Sequence, residues 1–227
     1  MTLVAPQVRP GARQRWNSIY GVIRERIALL DYEPGQRLSE EALAIEFGTS
    51  RTPIRRVLAR LEDEGLLHSV QSVGTMVTDI DFETLAQVYR LRMELAELIG
   101  LLDPVSPTEA MAAAFREVRQ RTDTVAHSPN SREFARINID FFHALMNLTH
   151  NAPLREISER LYYQTTRIWI KSMGSLDLTA EIAIFQREVR DILAAIEIGD
   201  LAAVGHIRRS NISMSFQRLR RKGEVDV

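Results

Sequence analysis

Pro34-Gly35-Gln36-Arg37-Leu38-Ser39-Glu40, followed by Leu43-Ala44, Phe47-Gly48, Ser50-Arg51-Thr52-Pro53-Ile54-Arg55, Leu58, Leu61-Glu62, Glu64-Gly65-Leu66 and Gly74-Thr75, is the stretch that decides the fold. Pro34-Gly35 breaks a first helical pattern. Ser39 can cap a second that runs to Phe47, and Gly48 allows a turn before Ser50 caps a third. In that third helix Ile54, Val57, Leu58 and Leu61 recur at helical spacing, so they form one apolar stripe and leave Arg51, Thr52, Arg55 and Arg56 on the opposite face. After Gly65 the residues from Leu66 to Asp79 alternate weakly, and Gln71-Ser72-Val73-Gly74 can turn a two-stranded wing. The order is that of a winged helix-turn-helix. An arginine fork donates to two acceptors on a guanine edge or a phosphate, so a face of guanidinium and hydroxyl groups at a helix N-terminus suits a DNA major groove.

These elements resemble the DNA-binding domain of the GntR family of bacterial transcription regulators, over about Trp16 to Asp79. The PG-x-x-LSE-x-x-LA and SRTP-x-R elements carry the resemblance. It implies that Arg51 and Arg55 of the third helix, Arg37, and the wing glycine Gly74 contact operator DNA. Ser50 at the helix start, with Thr52 and Arg56 on its exposed face, completes the candidate DNA-binding set. The position after the second arginine is usually acidic in this family and is Arg56 here, which implies a different operator preference.

Composition is compatible with this reading. The chain has 227 residues, a net charge of −1 and no cysteine. It is long enough for two modest domains, has no means of forming a disulfide or a thiolate zinc site, and carries no overall positive field for indiscriminate nucleic-acid binding. Lys171 and Lys222 are its only lysines, so its positive charge is almost all arginine. No apolar run is long enough to cross a bilayer, and residues 1–15 lack a signal-peptide centre, so a cytoplasmic protein with no membrane partner is expected.

The sequence predicts a disordered start over 1–13, the winged helix over 14–79, a hinge near Thr78 to Phe82, and an all-helical bundle over 83–222. Its helices are predicted at 83–102, 107–126, 131–149, 152–174, 178–198 and 201–222. Asp103-Pro104, Ser106-Pro107, Ser128-Pro129-Asn130, Ala152-Pro153, Gly174-Ser175 and Gly199-Asp200 supply the breaks. Leu91, Leu95 and Leu98 in the first, and Ile182, Phe185, Val189, Ile192, Leu193 and Ile196 in the fifth, read as core-facing stripes. The fold class is therefore mainly α.

This second half resembles the helical FCD effector domain of the FadR branch of the same family. The anchors are Val88-Tyr89-Arg90-Leu91-Arg92, Asn138 to Asn151, and Ile192-Leu193-Ala194-Ala195-Ile196 with Gly199-Asp200. Six helices point to the shorter VanR-like subgroup. The resemblance implies a homodimer that binds palindromic double-stranded operator DNA and responds to a small-molecule effector, such as an organic acid, most often as a repressor of a metabolic operon. Many such domains hold a divalent metal with one Asp and three His. Counting from Asn151 and from Gly199-Asp200 places those ligand positions at Asn138, Phe142, Val189 and Asn211, so no metal and no other cofactor is expected. Asp140 and His143, with His150, form a local alternative metal set.

The same four positions, with Arg92 and Arg167 as anion-binding arginines, make up the candidate ligand site; Tyr163 is a weaker member. An alternative is a helical domain that only dimerises. Catalysis finds no support: there is no cysteine nucleophile, phosphate loop, metalloprotease pair or nucleophile elbow.

Overall fold

The computed structural model describes residues 11–79, 82–173 and 176–223, and the chain divides between Asp79 and Ile80 into two compact units. Residues 1–10 of the expected disordered start, Ile80 and Asp81 of the expected hinge, and the Gly174-Ser175 break lie outside the described residues.

The first unit begins with α1 (Ala12–Ala28), so Ala12 and Arg13 are helical and not part of a disordered start. Ala, Arg and Gln at its first positions are strong helix formers. Nor does Pro34-Gly35 end this helix. It stops at Ala28, with Leu30 in the left-handed region at φ 61°, and the Pro-Gly turn instead feeds a short strand, β1 (Arg37–Leu38). Gly35 N donates to Val77 O at 2.9 Å and Val77 N to Gln36 O at 3.0 Å, which draws this segment beside the wing. The result is a third strand that periodicity does not reveal. β2 (Leu67–Val70) and β3 (Gly74–Val77) form the hairpin, and the strand order is β1-β3-β2 with Arg37 opposite Met76 and Ser69 opposite Thr75.

Between them, α2 (Glu40–Glu46) is capped by Ser39, whose Oγ accepts from Ala42 N at 3.3 Å. Gly48 at φ 58° makes the turn into α3 (Arg51–Asp63). Ser50 occupies the N-cap of α3 in an extended conformation, but its side chain makes no capping bond, contrary to the sequence expectation. The α3 stripe Ile54, Val57, Leu58 and Leu61 is buried against Ile19, Ile23 and Ile27 of α1. Each such burial stabilises by roughly 1.5–3 kcal/mol.

The second unit holds, among its described residues, six helices: α4 (Phe82–Leu98), α5 (Glu109–His127), α6 (Ser131–Met146), α7 (Ala152–Ser172), α8 (Leu178–Glu197) and α9 (Leu201–Gly223). Thr108, Asn130, Asn151 and Asp177 cap α5 to α8 through side-chain oxygens. Two ends differ from expectation. α4 stops at Leu98 and α6 at Met146 because the segments that follow are laced to each other: Thr149 Oγ1 donates to Leu102 O at 2.6 Å, His150 N to Asp103 O at 2.9 Å and Val105 N to Leu148 O at 2.9 Å.

The α8 stripe is buried as the sequence predicts. On α4 the expected stripe is not the core face. Leu91 is 47% exposed, and the buried positions are Leu85, Tyr89 and Ala96, with Ile99 just past the helix end. Tyr89, Ala96, Ile212, Phe216 and Leu219 form one cluster between α4 and α9. These helices approach closely because two glycines face the contact. A Cβ on Gly100 would lie 2.1 Å from Leu201 O, and one on Gly205 would lie 2.8 Å from Glu97 O. Phe115, Phe134, Phe141 and Phe185 pack edge to face in the centre of the other helices.

Candidate nucleic-acid interface and ligand cavity

In the first unit, Ser50, Arg51, Thr52, Arg55 and Arg56 are all exposed on the outer face of α3. Sequence reasoning missed their partner. Glu40, at the first position of α2, accepts from Arg55 Nε and Nη2 at 3.0 Å each and from Arg51 Nη2 at 3.1 Å. The bond from Arg55, with a lesser contribution from Arg51, holds the Glu40 carboxyl below its ordinary pKa against the opposing effect of burial. The available signal was charge: an acid opening one helix, beside two arginines opening the next across a tight turn. With the two arginines 60% and 68% exposed, such pairs are worth no more than about 1 kcal/mol. They orient the two forks and yield readily to a better acceptor.

The wing sits on the same unit with a fixed base. Ser69 N and Oγ donate to the Glu62 carboxylate at 2.7 and 2.9 Å, tying β2 to the end of α3. Gly74 has φ 118°, and its Cα faces Arg37, whose Nε would lie 3.3 Å from an added Cβ. Two sequence-predicted residues thus meet at the wing. Arg56 makes no ion pair with any described residue.

In the second unit a cavity opens among five helices, with about 610 Å³ of empty volume including its mouth and about 70 Å³ that admits the centre of a water-sized molecule. Each helix contributes a single face: Tyr89 and Arg92 from α4, Phe134 and Asn138 from α6, Tyr162, Thr166 and Trp169 from α7, Glu181, Phe185 and Glu188 from α8, and Arg208, Asn211, Ser215 and Arg218 from α9. Ile184 of α8 and Ile212 of α9 also line it, and on each helix the lining positions recur at spacings that keep them on one face. Its charged side chains are three arginines and two glutamates.

Four of those charges are paired. Arg208 Nη1 donates to Glu188 Oε1 at 2.7 Å, and Arg218 donates from Nε and Nη2 to Glu181 at 2.6 and 2.9 Å. Burial pushes the Glu188 carboxyl above its ordinary pKa, and Arg208 opposes that shift. Arg92 differs. Its Nη1 donates to Thr165 Oγ1 at 2.6 Å, and its guanidinium lies 5.2 Å from the Tyr89 ring centre and 5.4 Å from that of Tyr162, with no carboxylate bound to it among the described residues. Burial pulls its pKa below the ordinary arginine value, yet a guanidinium remains charged at neutral pH.

Of the six sequence-predicted ligand residues, Arg92, Asn138 and Asn211 line this cavity. Phe142 lines a smaller adjoining void and stacks on Tyr162 at 4.0 Å. Val189 and Arg167 are buried but line neither space, because each is one position along its helix from a lining residue, Glu188 or Thr166, and one position turns a side chain by about 100°. Tyr163 is turned away for the same reason and faces His143 Nε2 at 3.3 Å. Tyr89, Glu188, Arg208 and Arg218 were not anticipated. A charged residue inside an otherwise apolar stripe, as with Glu188 between Phe185 and Ile192, was the readable sign.

The positions that the resemblance assigns to a metal do not fit one. The Asn138 and Asn211 amide nitrogens donate to Phe134 O at 2.8 Å and Ile207 O at 2.9 Å, leaving one neutral oxygen each, while Phe142 and Val189 have no donor atom. The alternative set is not assembled either: Asp140 accepts from Arg121 at 2.6 Å, and His143 faces Tyr163. Among the described residues no three His, Cys, Asp or Glu are grouped to hold an ion. Nor, among those residues, is any helix long and apolar enough to cross a membrane.

A winged helix with exposed arginines on its third helix, followed by a helical bundle with a charged cavity, is the architecture of a DNA-binding regulator. The family description "Bacterial regulatory proteins, gntR family" matches residues 16–77, and the FCD domain matches residues 87–213. This chain belongs to the GntR family, in its FCD-containing branch. It is similar to the HTH-type transcriptional regulator YdhC of Bacillus subtilis, at 26% identity over 63% of this chain and 64% of YdhC, so that match spans less than two thirds of that relative. The regulator McbR of Escherichia coli is 23% identical over 88% of this chain and 91% of its own, and its solved structure superposes with a TM-score of 0.79 over 92% of this chain and 98% of its own, at 19% identity. The repressor MngR of the mannosyl-D-glycerate transport and metabolism system of Escherichia coli is 39% identical, over 30% of this chain and 29% of its own. Family and relatives are transcription regulators, not enzymes.

Proposed function

We propose that this chain is a homodimeric repressor whose two winged helices read a palindromic operator and whose helical unit binds a small carboxylate that alters operator affinity. Arg51 and Arg55 contact base edges, with Ser50, Thr52 and Arg56 at the rim of the same face, and Arg37 and Gly74 bring the wing into an adjacent groove. Glu40 holds the two forks in a common orientation until DNA replaces it.

The observation that carries the effector reading is Arg92. A half-buried guanidinium bonded to one hydroxyl and two aromatic faces has unused donors, and the surrounding cavity has one positive charge in excess. A carboxylate satisfies both, through charge-assisted hydrogen bonds. Asn138 and Asn211 present amide oxygens to the ligand's polar groups. Leu91 and Leu98, seven residues apart on one face of α4 and exposed or half-exposed, give the second copy an apolar strip to cover.

Calorimetric titration of short carboxylates into wild type and Arg92→Met tests this reading. Binding to wild type that is lost in the variant supports it, and equal binding to both contradicts it.

A further inference from the structure

Adjoining the charged cavity is a second void bounded by Leu95 and Ala96 of α4, Ile99 just past its end, Leu145 and Met146 of α6, and Ser158 of α7. Arg92, Arg208 and Ile212 belong to both walls, so the two guanidinium groups stand at a neck between a charged outer chamber and an apolar inner one. The inner chamber has about 320 Å³ of empty volume, of which about 20 Å³ admits the centre of a water-sized molecule. One water needs roughly 10–15 Å³ on that measure, so the space takes one or two non-hydrogen atoms without repacking.

The apolar wall carries one polar group. Ser158 is only 7% exposed, and its Oγ is buried with no hydrogen-bond partner. One turn along the same face of α7, the buried Tyr162 hydroxyl also lacks one. A serine on a helix can quiet its hydroxyl on the carbonyl four residues back, as Thr165 and Thr166 do here. Ser158 does not. A buried hydroxyl left unpaired is costly, and its complement is a polar atom that arrives with a ligand.

We infer that the inner chamber is a second subsite of the effector site: it takes a short apolar arm of a small carboxylate past the Arg92 and Arg208 neck, with an oxygen at the end of that arm bonded to Ser158. The effector class is therefore a short hydroxy- or oxo-carboxylate. This inference rests on the effector reading above.

The test is calorimetric titration of the full-length protein with straight-chain monocarboxylates from acetate to octanoate and with their ω-hydroxy counterparts. Affinity should rise over the first carbons and fall once the chain outgrows the chamber. At the optimal length the ω-hydroxy acid should bind about threefold to tenfold more tightly than its parent, and Ser158→Ala should remove that gain while leaving the parent acid's affinity unchanged. Ala96→Leu, which fills the chamber, should move the optimum to shorter acids. Affinity that requires Arg92 but does not vary with chain length or hydroxyl would overturn the second subsite and leave the effector reading intact. Absence of binding by every acid would overturn both. Ser158→Ala removes one buried atom with no bond to lose, so it serves if Ala96→Leu does not fold.

Discussion

The two units use arginine in opposite ways. On the winged helix, Arg51 and Arg55 are 60% and 68% exposed and share Glu40, itself 23% exposed. In the helical unit, Arg208 is 12% exposed and Glu188 6%. A pair in water is weak and exchangeable, so Arg51 and Arg55 can leave Glu40 for another anion at small cost, as the proposed DNA contact requires. A buried pair is held by the large penalty for stranding either member, so it fixes the cavity wall and its charge. Only Arg92, among the charges lining that cavity, combines partial burial with neutral partners, and for that reason the proposed effector site centres on it.

The comparison breaks most visibly when each pair loses its acid. Glu188→Ala should destabilise the chain by about 3–5 kcal/mol in urea unfolding, because Arg208 is left buried without a counter-charge. Glu40→Ala should change stability by less than about 1 kcal/mol. Similar losses in both variants would show that the two pairs do not differ as their burial implies.

Two glycines sharpen the contrast at a smaller scale. Gly205→Ala drives a methyl to 2.8 Å from the Glu97 carbonyl of α4, a backbone neighbour that cannot rotate away, and should cost about 1–3 kcal/mol. Gly48→Ala has open space around its Cβ but a φ of 58°, so its cost of about 1–2 kcal/mol is conformational and should be rescued by Asn, which tolerates that region. Gly205→Asn should not be tolerated. Denaturation midpoints of the four variants decide the matter.

At the reading face the effect should fall on binding and not on folding. Arg51→Ala and Arg55→Ala should each weaken a selected operator duplex about tenfold to a hundredfold at fixed salt, with unchanged melting temperature. Smallest of all, Glu40→Gln should strengthen non-specific DNA binding about threefold and narrow the ratio of specific to non-specific affinity, since the forks lose their anchor and the face gains one positive charge.

Much of this was readable from sequence, for identifiable reasons. The Ser39 cap, the Gly48 turn and the α3 stripe are local, so spacing alone places Arg51 and Arg55 outward. The α8 stripe is equally plain because Ile182 to Ile196 are apolar at every third or fourth position. Other features depended on partners far along the chain. β1 exists because Val77 bonds back to Gly35 and Gln36, and α4 ends at Leu98 because Thr149 and His150 bond to Leu102 and Asp103. On α4 two of the leucines misled: Leu91 is exposed and Leu98 half-exposed, while Leu95, Tyr89 and Arg92 line the interior spaces. Register counting put Asn138 and Asn211 on the cavity wall but Val189 one residue off it, and Arg167, placed by the family resemblance, is likewise one residue from the lining Thr166. Of the acids that pair there, Glu188 stands out within an apolar stripe, but its partner and that of Glu181 emerge only when α9 brings Arg208 and Arg218 opposite them.

The most direct test joins the two units in one measurement: fluorescence anisotropy of an operator duplex selected by the protein itself from random sequence, at fixed salt, with and without the tightest-binding acid of the acetate-to-octanoate series. Wild type should change its operator affinity by at least about fivefold when the acid is present, a coupling of roughly 1 kcal/mol. Arg92→Met should bind the same duplex with wild-type affinity and show no response to the acid. An operator affinity in Arg92→Met that still shifts with the acid as wild type does would contradict the account, since the anion would then act at some place other than the half-buried Arg92 guanidinium.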